Sequence, residues 1–326
     1  MKVLVTGASG YIGSQTCKFL NESGHTLVGV DRNMIKHQYC RETYIGDYSD
    51  SVMDIMLQDV DCVVHIGATS LVGPSVLNPS EYYNNNVVGT LKLLDGCKKH
   101  EIKRFVFASS AATYGEPEGG VCLETKQHQP MNPYGWSKRM TEVMLNDYAI
   151  AYGMNSVSLR FFNVAGADTL MQHGQEKAAT HIIAKLIEMT MEGKEFTLNG
   201  GEFDTPDGTC IRDYVHVEDV AYGIYRAIEF LFFSSNSGAH IFNLGNKNGY
   251  SNLEIVEAVK NNTPLKPNVK IGPARDGDPA KLVADTTLAN EILKWTPKYN
   301  LDTIVKTAYN WYKKKDDILV ENSEKK

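Results

Sequence analysis

An α/β fold built on a doubly wound parallel sheet is expected from three observations. A glycine-rich turn follows directly on a short β-branched strand at the start of the chain. Strand and helix patterns then alternate through the first half, and the pattern changes near Val164, where a second, smaller α/β part begins. Strand candidates fall at 2–6, 26–30, 43–45, 61–66, 103–109 and 156–161, with helical stretches at 11–22, 51–58, 80–99 and 134–152. Such alternation implies right-handed crossovers, with helices on both faces of the sheet. A polar loop at 165–177 then leads to a helix over 178–192. A strand near 214, a helix over 218–231 and a strand at 240–244 read as a return to the sheet. The stretch 250–315, punctuated by Pro264, Pro267, Pro273 and Pro279, reads as a helix-rich cap. The expected division is 1–170 with 214–248 as the sheet domain, 171–213 with 249–315 as the smaller domain, and 316–326 as a frayed tail.

Bulk properties exclude several function classes. A chain of 326 residues, 42% hydrophobic and 22% charged, suits a globular enzyme with an ample core. A net charge of −6 with no basic stripe argues against nucleic-acid binding. The longest apolar runs, such as Phe230-Leu231-Phe232-Phe233, are too short to span a bilayer. Met1 leads straight into the first strand and leaves no room for a signal peptide, so a cytoplasmic location is expected. Six cysteines (Cys17, Cys40, Cys62, Cys97, Cys122, Cys210) show no C-x-x-C pair and no metal-ligand spacing. They read as reduced thiols, and no metal site is expected.

The glycine-rich turn reads Thr6-Gly7-Ala8-Ser9-Gly10-Tyr11-Ile12-Gly13-Ser14. Gly7 permits the tight turn, Gly10 a close approach to a phosphate, and Gly13 close packing of helix on strand. The helix opening there offers free N–H groups and its positive dipole end to an anion. After a second apolar strand comes Asp31, about 20 residues on, where a carboxylate accepts from the ribose hydroxyls of a dinucleotide. Asp31 also repels a 2′-phosphate, which favours NAD over NADP, while the adjacent Arg32 runs against that preference.

The second signal is Tyr134-Gly135-Trp136-Ser137-Lys138, on a helix opened by Asn132-Pro133. Tyr134 and Lys138 are four apart and share a helical face. An adjacent ammonium favours phenolate over phenol, drawing a tyrosine from about 10 toward neutrality and making it a general base for an alcohol proton. The strand at 103–109 ends in Ala108-Ser109-Ser110-Ala111-Ala112, at the end of a parallel strand where ligands bind in such sheets. Ser110 is the candidate second partner of the reacting oxygen. Ser109 is the alternative, and either serine can equally cap the next turn.

Taken together, these residues resemble the extended short-chain dehydrogenases/reductases that act on nucleotide sugars, and among them the UDP-hexose 4-epimerase branch. The resemblance covers residues 1 to about 312 and is carried by several motifs in family order. They are Thr6 to Ser14, His65-Ile66-Gly67-Ala68, Tyr82 to Thr90, Ser109-Ser110-Ala111, Tyr134 to Lys138, Leu159-Arg160-Phe161-Phe162-Asn163, Asp207 to Val217 and Arg275-Asp276-Gly277-Asp278. The resemblance implies a Rossmann-type sheet with a C-terminal substrate-binding domain, and a tightly held NAD regenerated in every turnover. It implies that Tyr134, aided by Ser110 and Lys138, takes the proton from the sugar 4-OH. Hydride leaves C4, and the transient 4-keto sugar turns over and takes the hydride back on its other face. It further implies Gly7, Gly10, Tyr11, Ile12, Gly13, Asp31, Asp47, Tyr48, Asn86, Lys138 and Phe161 as cofactor contacts. Ser110, Tyr134, Asn163, Thr180, His181, Arg212, Arg275 and Asp278 are the implied contacts of a UDP-sugar, the two arginines facing the diphosphate.

Departures from the family pattern narrow the chemistry. Sugar 4,6-dehydratases carry an Asp-Glu pair where this chain has Ala111 and Ala112, which exchange no protons, so epimerisation remains and dehydration loses its acid and base. Ser70 stands where relatives have a Lys, and Thr180-His181 where they have paired Asn. Leu282 replaces a Tyr typical of enzymes restricted to glucose and galactose, which makes an N-acetylated UDP-hexose the alternative substrate. A nucleotide-sugar dehydratase or oxidoreductase is the runner-up activity. A non-catalytic NAD sensor is the rival from another class, against which Tyr134 and Lys138 both stand. His65, His181, His216 and His240 read as makers of structural hydrogen bonds. The resemblance also implies a homodimer pairing the helices near 80–99 and 134–152, with Leu91, Leu94, Met140, Met144 and Tyr148 as its apolar positions.

Overall fold

Strands arise where β-branched and aromatic residues cluster between turn-forming residues. The computed structural model describes the backbone at 1–126, 128–176, 180–274 and 279–324, with side chains to 317. In chain order the strands are β1 (Lys2–Thr6), β2 (Thr26–Asp31), β3 (Glu42–Ile45), β4 (Cys62–His65), β5 (Arg104–Ser110), β6 (Val121–Cys122) and β7 (Asn155–Phe161). There follow β8 (Asn163–Ala165), β9 (Phe196–Asn199), β10 (Ile211–His216), β11 (Ala239–Leu244), β12 (Gly249–Ser251), β13 (Val269–Gly272) and β14 (Lys281–Ala284).

Seven of them form one parallel sheet in the order β11-β7-β5-β4-β1-β2-β3. The chain reverses its direction of winding between β1 and β4, and the crevice outside the carboxyl ends there is where such sheets bind ligands. Helices cover both faces, which is why the central strand β1 is an apolar run: Val3, Leu4 and Val5 are wholly buried. On one face the helices Tyr11–Glu22 and Val217–Phe233 pack together over the sheet. On the other, the helices Thr90–Lys99 and Pro133–Tyr152 bury Leu93, Leu94, Cys97 and Leu145.

A second sheet runs β12-β10-β14-β6, with β8 alongside β10, and β9 pairs with β13 apart from both. The strand read near 214 lies here and not in the large sheet. The reason is the buried Asp213 carboxylate, which accepts from the N–H groups of Asn246 (2.6 Å), Lys247 (3.1 Å) and Ala284 (3.1 Å) and so ties β10 to its neighbours. Burial pushes that carboxyl up to about 6, against the pull of these three donors. Helices Ile182–Met191, Asn252–Asn262 and Leu301–Glu324 close the second part around Leu186, Ile255, Val259 and Ile304.

The helix expected over 80–99 is continuous but not uniform: an α-helical turn at Pro79–Tyr82 runs into a wider π-helical stretch at Tyr83–Gly89 and then into the α-helix Thr90–Lys99. The π-stretch carries Asn86, whose side chain is held between Thr69 and Ser137, and such widenings recur at functional sites. Among the described residues no helix is long and apolar enough to cross a membrane.

Candidate active site

The cradle has the glycine requirements read from its sequence. Gly7 adopts φ +72°, and a side-chain carbon on it would stand 2.8 Å from the Gly67 nitrogen. At Gly13 such a carbon would lie 1.9 Å from the Gly7 carbonyl oxygen, which only glycine avoids. At Gly10 the interior would be merely tight, 3.3 Å from Gly7. Gly10 is the N-cap of the helix and brings no side chain to its first N–H groups. Tyr11 and Ile12 open that helix half-buried, and the Tyr11 hydroxyl donates to the Gly166 carbonyl (2.7 Å), tying the cradle to the loop after β8.

At the end of β2 the Asp31 carboxylate accepts from Ser9 N–H (3.0 Å) and Asn33 N–H (2.8 Å), so it is fixed at the rim of the cradle. Arg32 is turned away from it. Its Nε donates to Asp47 at 2.9 Å, and its Nη2 reaches Asp47 and Asn85. Burial opposes ionisation of Asp47, but Arg32 and Ser49 outweigh it and hold the carboxyl below its ordinary range. The side chain of Asp47 thus restrains Arg32, while Tyr48 packs edge-on against His65 and donates to the Asn85 carbonyl (2.7 Å).

A hydrogen-bond relay runs beneath this crevice. Thr6 Oγ1 accepts from Ile66 N–H (3.2 Å) and Gly67 N–H (3.0 Å), so its own proton goes to His65 Nδ1 at 2.7 Å. His65 Nε2 then donates to Thr90 Oγ1 (2.9 Å), which donates to the Asn86 carbonyl (2.6 Å). Burial first, then the nearby Lys138, push His65 down to about 3, so it stays neutral and structural. Asn86 uses its amide on Thr69 (2.9 Å) and Ser137 (2.9 Å), and its side-chain oxygen on Thr69 N–H (2.9 Å).

Across the crevice, Ser110 ends β5 and lies in register with Phe161 at the end of β7. Its Oγ accepts from Ala112 N–H (3.2 Å), and it lies near enough to the Tyr134 hydroxyl to favour that group's ionised form. Asn132 caps the tyrosine's helix by accepting from Gly135 N–H (2.9 Å), and Pro133 occupies its first turn. Lys138, 4% exposed, donates to the Ala108 carbonyl at 2.8 Å, with its nitrogen 5.8 Å from the centre of the Tyr134 ring. The expected acidification of Tyr134 by this lysine is not what the protein alone produces. Burial pushes Tyr134 above its ordinary value, opposed by Ser110 and reinforced by Tyr82, and burial brings Lys138 down to about 7 despite Glu142. Removal from water penalises phenolate and ammonium alike, and that cost exceeds the attraction between them.

The remaining predicted contacts gather on the second part. Asn163 lies on β8 and shares a pocket with His181, which precedes the helix Ile182–Met191; Thr180 is exposed beside it. Arg212 projects from β10, half-buried, in register with Leu282 of β14, and its Nη1 donates to the Ile211 carbonyl (2.9 Å). Leu282 is half-buried against a small cluster made of Ala111, Tyr114, Cys122, Phe162 and Ala284. Arg275 and Asp278 lie outside the described residues.

This geometry has close counterparts. The model of the NAD dependent epimerase/dehydratase family matches residues 3–245. The chain belongs to that family. Among curated members, the UDP-glucose 4-epimerase of Halalkalibacterium halodurans is 41% identical over 322 residues, 96% of each chain. The crystal structure of UDP-glucose 4-epimerase from Brucella ovis in complex with NAD is 38% identical, with a TM-score of 0.89 over 95% of this chain and 97% of that one. The UDP-Glc/GlcNAc 4-epimerase of Campylobacter jejuni is 34% identical, with a TM-score of 0.81 over 96% of this chain and 99% of its own.

One feature of this family member escaped the sequence reading. Ser109 does not face the crevice. Its Oγ donates to Glu142 (2.7 Å), and Arg160 grips the same carboxylate with Nε and Nη2, each at 2.8 Å. Glu142 and Arg160 have fully buried side chains. Two signals were available: Glu142 continues the Tyr134–Lys138 stripe by four residues, and Arg160 is a charge inside an apolar strand, a setting that calls for a partner.

Proposed function

We propose that this chain is an NAD-dependent isomerase that inverts C4 of a UDP-hexose, interconverting UDP-glucose and UDP-galactose through a 4-keto sugar. The observation that carries this reading is the Ser110–Tyr134–Lys138 group at the end of β5, facing a glycine cradle and followed by Ala111 and Ala112, which cannot serve dehydration. The cradle suits the dinucleotide: Gly7, Gly10 and Gly13 admit backbone close to a diphosphate, the helix at Tyr11 and Ile12 offers its N–H groups, and Asp31 stands where a ribose is held. Asp47, Tyr48, Asn86 and Phe161 complete that surface, the first three chiefly by holding its frame. When bound, NAD supplies a hydride acceptor and donor for C4.

Tyr134 accepts the proton of the sugar 4-OH, Ser110 hydrogen-bonds the same oxygen, and Lys138 orients the tyrosine's surroundings from Ala108. Asn163, Thr180, His181, Arg212, Arg275 and Asp278 hold the UDP-sugar, the arginines at its diphosphate. In this reading the expected division is kept except at β10, which goes with the second sheet: the sheet domain is 1–170 with the helix Val217–Phe233 and β11, and the smaller domain is 171–216 with 249–315. The enzyme is cytoplasmic in this reading. The test is incubation with UDP-galactose and UDP-N-acetylgalactosamine separately, followed by separation of products. UDP-glucose should form without net NADH; a stoichiometric yield of NADH or a dehydrated sugar would overturn epimerisation.

Cofactor choice follows from Asp31 and from the capture of Arg32 by Asp47, which leaves a 2′-phosphate facing a carboxylate with its nearest guanidinium engaged. NAD is expected to bind at least ~10-fold more tightly than NADP in a titration. Equal affinities would remove the assignment.

An N-acetylated UDP-hexose is favoured as a second substrate by Leu282, which is in register with Arg212, packs against the cluster containing Ala111, and is smaller than a Tyr. Leu282→Tyr should suppress activity on UDP-N-acetylgalactosamine relative to UDP-galactose. Overfilling a packed site costs about 1–3 kcal/mol, enough to move the ratio of kcat/KM ten-fold or more. An unchanged ratio means that Leu282 does not gate the sugar.

The enzyme is proposed to be a homodimer. Trp136, Met140, Val143 and Ile150 form an exposed apolar stripe on the helix Pro133–Tyr152, with Leu91 and Val88 on its neighbour, while Leu94 and Tyr148 of the expected set are buried within the chain. Light scattering at micromolar concentration should give twice the chain mass; a monomer mass would count against the pairing.

A further inference from the structure

Away from the crevice, the fold brings together three soft ligands that the sequence scatters. Cys17 is on the helix Tyr11–Glu22, wholly buried, and His37 and Cys40 lie on the connection between β2 and β3. The two sulfur atoms are 3.8 Å apart, and they and a ring nitrogen of His37 all lie within 4.8 Å of one another. Two thiolates on one tetrahedral zinc, each at about 2.3 Å, are held about 3.8 Å apart, so the sulfur pair already has the edge length of such a site. Gly29 makes the room, since a side-chain carbon there would lie 2.8 Å from the Cys40 sulfur.

The histidine is prepared in the same sense. Its Nε2 is 2.9 Å from the Ala8 carbonyl oxygen, which can only accept, so Nε2 carries the proton. Nδ1 is then a bare lone pair, buried and without a partner among the described residues. A ring fixed through one nitrogen by a backbone carbonyl, with the other free, is how metal-ligating histidines are held.

We propose that Cys17, His37 and Cys40 form a binding site for a thiophilic divalent cation of the zinc class, which staples the β2–β3 connection to the helix that opens the cradle. Binding displaces the thiol protons and leaves the fourth position to water. A ring nitrogen of His37 already lies within 4.8 Å of both sulfurs, against the ~3.6 Å nitrogen–sulfur edge of a tetrahedral site, and the neighbours Lys36 and Gln38 on its connection are exposed.

The test uses the full chain with its NAD, thiols reduced, stripped of metal and titrated with zinc against a chromophoric chelator. One equivalent should bind per chain, and Cys40→Ser and His37→Gln, both at partly exposed positions, should each weaken it by at least ~10-fold while retaining NAD. Cobalt at the same site should show a thiolate-to-metal charge-transfer band that Cys40→Ser reduces. Failure of the wild type to bind zinc at micromolar concentration, or binding that both variants leave unchanged, would overturn the site. Formation of a Cys17–Cys40 disulfide on mild oxidation by a chain that takes up no zinc would do so as well.

Discussion

Replacing Tyr134 by phenylalanine lowers turnover by about 10²–10⁴-fold and leaves the NAD content of the purified protein unchanged. The ring stays, so its packing near Tyr82 is kept; what goes is the hydroxyl that faces Ser110. On the proposed assignment the loss should fall on kcat far more than on KM, since Tyr134 would move its proton in the chemical step while most of the hold on the UDP-sugar would come from its diphosphate contacts. Steady-state rates with UDP-galactose for wild type and Tyr134→Phe decide the matter. A variant with most of its activity would show that another group takes the proton, and the neutral, buried His65 would be a poor substitute. Burial pushes Tyr134 up and Lys138 down, so on the proposed assignment the phenolate draws on what enters the crevice as well as on the lysine.

Glu142→Ala destabilises the fold by about 3–5 kcal/mol, the cost of leaving a buried guanidinium without its counter-charge. The carboxylate accepts from Arg160 twice, from Ser109 and from Arg139, all behind the β5 end that carries Ser110. Burial works against its ionisation, but Arg160 overcomes that and keeps it below the ordinary carboxylate range. The denaturation midpoint of Glu142→Ala should fall accordingly. The double variant Glu142→Leu with Arg160→Met should recover much of the loss, because two apolar side chains need no partner. A single variant as stable as wild type would mean that water reaches Arg160 and the pair is dispensable.

The two results together separate chemistry from framework. Ser109 and Ser110 are adjacent and chemically alike, and the strand's alternation sends them to opposite faces, one to the buried Glu142 and one to Tyr134. No pattern within Ser109-Ser110 distinguishes them before the sheet is placed.

Local physics made much of this chain legible. The glycine spacing announces the cradle because backbone conformation and clearance at Gly7 and Gly13 are local demands, met within a few residues. The strand–helix alternation announces the parallel sheet because burial on both faces leaves an apolar run in strands such as β1 and β4. Tyr134 and Lys138 share a face because the helix period is a property of the backbone. By themselves, then, the residues determined the sheet class, the glycine turn that opens the first helix, and the shared helical face of Tyr134 and Lys138.

Tertiary structure alone decided what depends on residues distant in sequence. It moved β10 into the second sheet through Asp213 and three backbone N–H groups from 246, 247 and 284. It widened the helix around Asn86 to meet Thr69 and Ser137, and it turned Arg32 onto Asp47. It set the protonation of Tyr134 and Lys138, because desolvation is a property of the assembled interior and not of a motif. It also brought Cys17 to within 3.8 Å of Cys40, a proximity invisible in a separation of 23 residues. Distances between segments follow from how helices and sheets pack, and no local propensity encodes them.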